Sequence, residues 1–361
     1  MISPTAGTAT VPATIVPLRR ELFAADPAAP EPLLTHGELE VSAARYSSGV
    51  ETLIMTSSRT RLEILPFMGQ IIWDAVVDGV SLRMDNMFRQ PLPATEITQT
   101  YGCFAFHSGL LAAGCPAPED THPLHGEFSC APMDAARLEA GPDSIRLVST
   151  YEYVMGFGHH YRAEPAVTLR AGASTFDIDM SVTNLSAYAS MPLQYMCHMN
   201  YAFVPGGRMA QNLPAGAFSL RRTVPAHVTP TPRWETLNEE ILAGRIDADS
   251  LEAATEFDPE IVYFADDLPR HGRDLEFTLT APDGPTFVTR FSSADFPVAT
   301  RWILHNADQR VAAFVLPGTS RPEGRLAAQS AGTLIELEAG GARRFHVTTG
   351  VLAGVAGVEE S

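Results

Sequence analysis

The residue types best suited to moving protons crowd into one stretch, Gly109-Leu-Leu-Ala-Ala-Gly-Cys-Pro-Ala-Pro-Glu-Asp-Thr-His-Pro-Leu-His-Gly-Glu127. It holds His122 and His125, the carboxylates Glu119, Asp120 and Glu127, three glycines and three prolines. Imidazole titrates near neutral pH and carboxylate below it, so this mixture suits proton transfer or metal ligation. Glycine and proline at this density exclude a helix or an inner strand, which leaves a loop. Loops held on a rigid scaffold are where sites concentrate. Pro123 prevents His122 and His125 from sharing a helix face, so the pair is not a helical metal motif.

A second group lies in Leu193-Gln-Tyr-Met-Cys-His-Met-Asn-Tyr-Ala-Phe203. Successive side chains of a strand point to opposite faces. Leu193, Tyr195, Cys197, Met199, Tyr201 and Phe203 then form an apolar, core-like face. Gln194, Met196, His198, Asn200 and Ala202 form the other, and its polar trio suits the floor of a cleft. The competing reading is a set of polar groups paired for purely structural reasons.

These residues need a scaffold, and the chain around them reads as β. Glu51 to Ser57 and Arg61 to Phe67 are short β-prone runs. Gln70 to Val77, Asp78-Gly79 and Val80 to Met84 read as a hairpin, since Asp-Gly supplies the positive φ of a tight turn. After the loop, Ser144 to Val154, Ala163 to Arg170, Thr175 to Asn184 and Leu193 to Phe203 recur at the spacing of a sandwich. Leu275 to Ala281 and Thr286 to Phe291 flank Pro282-Asp-Gly-Pro285 as another hairpin. Thr300 to Leu304, Val311 to Leu316, Thr333 to Glu338 and Arg343 to Thr349 complete the strands. Thr236 to Glu256 favours helix and reads as an insertion in the β body. Residues 1–36, rich in Ala, Pro and Thr, read as an N-terminal arm, with Val16 to Phe23 docking on the body. Residues 37–361 read as a single large antiparallel domain, because no linker interrupts them.

Composition narrows the partners. The 361 residues are 45% hydrophobic and only 19% charged, which fits extensive sheets with large buried faces. With 42 acidic against 25 basic residues the formal charge is -17, so neither nucleic acid nor an anionic membrane is an expected partner. Cys103, Cys115, Cys130 and Cys197 show no C-x-x-C spacing and read as free buried thiols of a reducing compartment. No apolar run spans a bilayer, and Met1 to Pro17 lacks the pattern of a signal peptide, so the cytoplasm is the expected location. A phosphate-cradling glycine loop, a Gly-x-Ser-x-Gly elbow and a dinucleotide fingerprint are absent.

Four segments together resemble an aldose 1-epimerase-like family of the galactose mutarotase superfamily. They are Leu65-Pro-Phe-Met-Gly-Gln-Ile-Ile-Trp-Asp74, Pro118-Glu-Asp-Thr-His-Pro-Leu-His-Gly-Glu127, His159-His-Tyr161 and Pro192-Leu-Gln-Tyr-Met-Cys-His-Met-Asn200. The resemblance runs from about residue 40 to 352. It implies an all-β galactose mutarotase-like β-supersandwich, a monosaccharide or sugar-derivative substrate and no cofactor. The reaction implied is anomer interconversion, in which a proton reaches the ring oxygen while another leaves the anomeric hydroxyl.

By the same resemblance, His198 matches the strand histidine that acts as general acid, and His125 the loop histidine beside the ring oxygen. The base is expected shortly before the Gly-rich turn Ala339-Gly-Gly341. Related sequences often read Glu-Pro-Glu-Gly there. This chain reads Arg321-Pro-Glu323-Gly, which leaves Glu323 as the candidate and Arg321 as a contact for an acidic substrate. Expected around the sugar are His107, His122, Glu127, Gln194, Asn200, His160, Arg208 and Asp267, with Asp266 beside the last. Trp73 and Trp302 are candidates for stacking on a sugar face. Two rivals remain: a metal-dependent sugar isomerase or lyase on the same scaffold, using His107, His122, His125, Glu127 and His198, and a carbohydrate-binding protein without catalysis.

Overall fold

The alternation expected along the strand Met191–Met199 decides where the core lies. Tyr195 turns inward and meets Phe345 of the opposing sheet, ring centroids 4.9 Å apart. Tyr201 does the same just beyond the strand, meeting Phe287 at 5.3 Å. Leu193, Cys197 and Met199 join them in one large buried cluster. Each such apolar side chain contributes about 1.5–3 kcal/mol through burial. Truncating Phe345 to Ala would cost about 3–5 kcal/mol.

The computed structural model describes residues 14–252 and 257–352. Two large antiparallel sheets pack face to face around this core, one of nine strands and one of thirteen. The larger sheet carries the site. Met191–Met199 lies inside it, between Ala105–Leu110 and Arg310–Gly318, followed outward by Val298–His305 and Ile261–Ala265. The smaller sheet backs it with Ala342–Val351 near its middle. This is the β-supersandwich expected from the sequence.

The Asp78-Gly79 turn has φ of 49° and 77° and joins Ile71–Val77 to Val80–Ser81. Asp274–Thr280 and Thr286–Ser292 form the second hairpin. Elsewhere the structure differs from the sequence pattern. From residue 14, the stretch read as an arm is woven into both sheets. Thr14–Leu18 pairs with Ala135–Ala140, and Glu31–His36 pairs with Leu39–Arg45. Phe23, between them, is buried against Phe67 at 5.5 Å. Residues 1–13 and 353–361 lie outside the described residues.

The helix expected over 236–256 runs instead over Pro232–Leu242. Thr231 caps it by accepting from Trp234 N at 3.2 Å, and proline fits the first helical position. It stops before Gly244, which takes φ 70°. The end of the expected span, 253–256, lies outside the described residues. A short helix, Arg325–Ser330, occupies a stretch that showed no pattern. No helix among the described residues is long and apolar enough to cross a membrane.

Candidate active site

The floor of the site is the outer face of the larger sheet. Strand register places Phe106 directly opposite His198. Their rings stack at 4.5 Å with planes 16° apart. Two strands away, Thr300 pairs with Leu316, and Trp302 pairs with Val262. Met196, His198, Thr300, Trp302 and Leu316 thus line one cavity of about 470 Å³. That volume lies within the usual range of small-molecule pockets, about 300–1,000 Å³.

His198 is 3% exposed. Its Nε2 faces the Tyr101 hydroxyl at 3.4 Å, and its Nδ1 meets no partner. Burial, then the neighbouring His125, hold its pKa well below the ordinary value, while Asn200 acts weakly in the opposite sense. The unliganded ring is therefore neutral at pH 7.

The loop brings the second imidazole. His125 sits in a left-handed turn with φ 64°, followed by Gly126 at 80°. A Cβ on Gly126 would lie 2.1 Å from the Ala112 carbonyl oxygen, so only glycine fits there. The His125 amide donates to Gly114 O at 2.8 Å, and Ser108 Oγ lies 3.1 Å from its Nδ1. Serine thereby sets the ring's orientation. Burial first, then the charges of His227 and His122, lower the His125 pKa to about 3. The His125 and His198 rings meet edge to face, centroids 4.9 Å apart.

Carboxylates close the other side. Glu260 precedes the strand Ile261–Ala265 and lines the cavity. Its Oε2 accepts from Trp302 Nε1 at 2.8 Å, and the Trp302 ring lies 5.7 Å from that of His198. Arg221 and His227 also line the cavity and lie 3.7 and 3.8 Å from Glu260. Cys115 faces the same space, its thiol pushed up to about 11, chiefly by burial. The other three cysteines are free and buried.

The structure brings His125 and His198 together and sets most other expected site residues apart from them. Glu323 is not among the cavity-lining residues. It stands behind Arg221, 3.5 Å from its Nε, and accepts from Thr223 Oγ1. Its backbone bridges to Gly114, where a Cβ would collide with Pro322. Arg321 is held by Asp266, with Nε to Oδ1 at 2.9 Å, and covers the Phe264 ring. Asp267 lies on the surface beside Arg270.

His107 points into the core, where its Nδ1 meets the Tyr195 hydroxyl at 2.8 Å, and burial lowers its pKa to about 3. Alternation explains this: Phe106 and Ser108 take the cavity face, so His107 takes the other. Glu127 accepts from Leu110 N, Leu111 N and the Tyr161 hydroxyl at 3.0, 2.9 and 2.8 Å, which pins the loop. His122 lies against Pro123 O at 2.8 Å and outside the cavity lining. Asp120 is spent on the amides of Ala117 and Leu326. Gln194 donates to Ser320 Oγ at 2.8 Å, and Asn200 to Cys103 O at 3.0 Å. His160 pairs with Glu152 at 2.9 Å, and Arg208 pairs with Asp247 at 3.0 Å. Trp73 is buried in a separate small core. Of the two tryptophans, only Trp302 reaches the cavity.

Tyr101, Arg221 and Glu260 were missed from sequence. Glu260 had one local signal, a carboxylate at the head of the apolar run Ile261-Val-Tyr-Phe-Ala265. Nothing near Tyr101 or Arg221 in the chain marks them. Among the described residues, no three His, Cys, Asp or Glu side chains gather closely enough to hold a metal ion. Chemically, the cavity offers three imidazoles, of His125, His198 and His227, the carboxylates of Asp258 and Glu260, and a phenol for proton movement, beside an indole able to cover a ring.

No family model matches the chain, and no curated protein matches it. Solved structures do. A protein from Klebsiella pneumoniae provisionally assigned as an aldose 1-epimerase superposes with TM-score 0.76 at 15% identity, covering 94% of this chain and 91% of that one. A galactose mutarotase-like protein from Clostridium acetobutylicum gives TM-score 0.60 at 12% identity, over 88% and 99% of the two chains. Another from Lactobacillus casei gives 0.54 at 13% identity, over 83% and 99%. At these identities the likeness concerns architecture, and it agrees with the two-sheet topology: the chain has the galactose mutarotase-like fold.

Proposed function

We propose that the protein interconverts the anomers of a reducing sugar, as an aldose 1-epimerase does. The observation that carries this reading is the meeting of His125 and His198 in one cavity, with Glu260 beyond the Trp302 indole. In this scheme His198 donates a proton to the ring oxygen, and His125 orients and polarises the same region. Glu260 takes the proton of the anomeric hydroxyl. The C1–ring-oxygen bond breaks as the carbonyl forms, and closure on the other face reverses each transfer.

Glu260 replaces Glu323 as the base because it faces the cavity, whereas Glu323 stands behind Arg221. Burial holds the His198 pKa down, so the ring is neutral at pH 7. In this scheme the ring takes up a proton from water as the substrate binds. Tyr101 holds the reactive Nε2 in place.

The test is two-dimensional exchange NMR on a panel of aldoses, with and without chelator, comparing the native protein with His198→Asn. Chelator-insensitive exchange that His198→Asn removes supports the reading. Exchange equal in the two proteins, or absent with every sugar, overturns it. Exchange lost on chelation points to the metal-dependent alternative.

A further inference from the structure

We infer that the natural ligand is an uncharged reducing sugar carrying an apolar group on a carbon other than the anomeric one. The inference rests on the anomer-exchange reading only for placing the reducing end at the two imidazoles.

The cavity is lopsided. Its polar groups include those around His198 and Trp302, and Asn306, Gln309 and Asp258 near the Leu304 end, but Met87, Phe88, Leu304, Val228, Val262 and Leu316 supply much of the wall. Leu304 stands two residues past Trp302 on the same strand face, about 7 Å further along. The strand then turns at the pairing of His305 with Arg310. Asp85 bridges to Arg310, which brings Met87 and Phe88 over that end. Met87 is 61% exposed at the rim, an apolar side chain that the fold leaves uncovered. Sugar hydroxyls would gain no hydrogen bonds from these six side chains and would lose those to water where they touch them. An alkyl or acyl group gains by leaving water there.

Charge argues in the same direction. Arg221 is the cavity's guanidinium, and it already faces two carboxylates, Glu260 at 3.7 Å and Glu323 at 3.5 Å. Asp258 adds another acid to the lining. A phosphate or carboxylate on the sugar would meet this excess negative charge, since Arg221 and the lining His227 both already face Glu260, at 3.7 and 3.8 Å.

The experiment compares glucose, its 3-O-butyl and 6-O-butyl ethers, and glucose 6-phosphate by exchange NMR and by calorimetry. At least one ether is expected to exceed glucose about tenfold or more in kcat/KM. The phosphate is expected to be the weakest. Met87→Gln, which lies at the rim and touches no reacting group, should cut the preference for the ether over glucose several-fold. Leu304→Gln should cut it further. Ethers no better than glucose, a preference for the phosphate, or a preference untouched by both variants would overturn the inference. If no sugar exchanges yet calorimetry still ranks the ether above glucose, anomer exchange fails and the ligand class stands. If no ether binds, the ligand class fails.

Discussion

The rings of His125 and His198 stand nearly perpendicular, 85° apart, with centroids 4.9 Å from each other. One comes from a loop and the other from an inner strand. Phe106 holds them both: it lies flat beneath His198 at 4.5 Å and edge-on to His125 at 5.1 Å. A phenyl ring directly opposite the strand histidine thus fixes the distance between the two imidazoles.

If that pair moves protons, His198→Asn and His125→Asn should each lower the anomer-exchange kcat by about 10²–10⁴-fold, the usual contribution of a positioned acid or base. The near-ultraviolet circular dichroism spectrum should stay native in both. A variant that retains a tenth or more of native exchange would contradict the assignment.

Replacing carboxylates separates two candidates. Glu260→Gln should reduce kcat about a hundredfold or more, since it faces the cavity. Glu323→Gln should change it only a few-fold, because it acts through Arg221. Steady-state exchange rates at saturating sugar decide between them, and the opposite ranking would return the role of base to Glu323.

Three buried imidazoles make the fold acid-sensitive. His107 and His125 are each lowered to about 3, chiefly by burial, and His198 is lowered too. In the unfolded chain all three titrate near 6.5, so below that pH the unfolded state binds more protons. Their contribution to stability is complete above pH 6.5 and is lost as pH falls, for His107 and His125 down to about 3. At pH 5 the loss is about 2 kcal/mol for each of His107 and His125. His107→Gln, away from the cavity, should flatten the fall in urea midpoint between pH 7 and 5. An equally steep fall in that variant would contradict it.

The loop depends on Glu127 rather than on a contact between Glu127 and substrate. Glu127→Ala strands two amides and the Tyr161 hydroxyl. It should cost about 2–4 kcal/mol in urea unfolding and raise KM as His125 loses its seat. A stability change under 1 kcal/mol, well below the about 1–3 kcal/mol expected for even one stranded group, would mean that other contacts hold the loop.

Arg321 does not substitute for a missing catalytic acid. Arg321→Glu would set a third carboxylate beside Asp266 and Glu323 and remove the bidentate pair with Asp266. Lower thermal stability without faster exchange is expected. Faster exchange would show that the chain had lost activity through this residue.

The amino-acid sequence determined the β architecture, since period-two alternation and the Asp-Gly turn are local. It also marked the two histidines, through the resemblance of their segments to the aldose 1-epimerase-like family; locally, Gly126 permits the turn after His125, and alternation puts His198 opposite the core face. Only the tertiary structure decided which groups join them. Tyr101, Arg221, Glu260 and Trp302 reach the cavity from separate segments, by strand register and loop packing that no short-range pattern encodes. For the same reason His107, Glu127, Gln194 and Asn200 looked functional as residue types, yet His107 faces the core, Glu127 and Asn200 bond backbone groups, and Gln194 donates to the Ser320 hydroxyl. Chemical type is written in the chain, whereas the direction a side chain faces depends on which strands and loops pack around it.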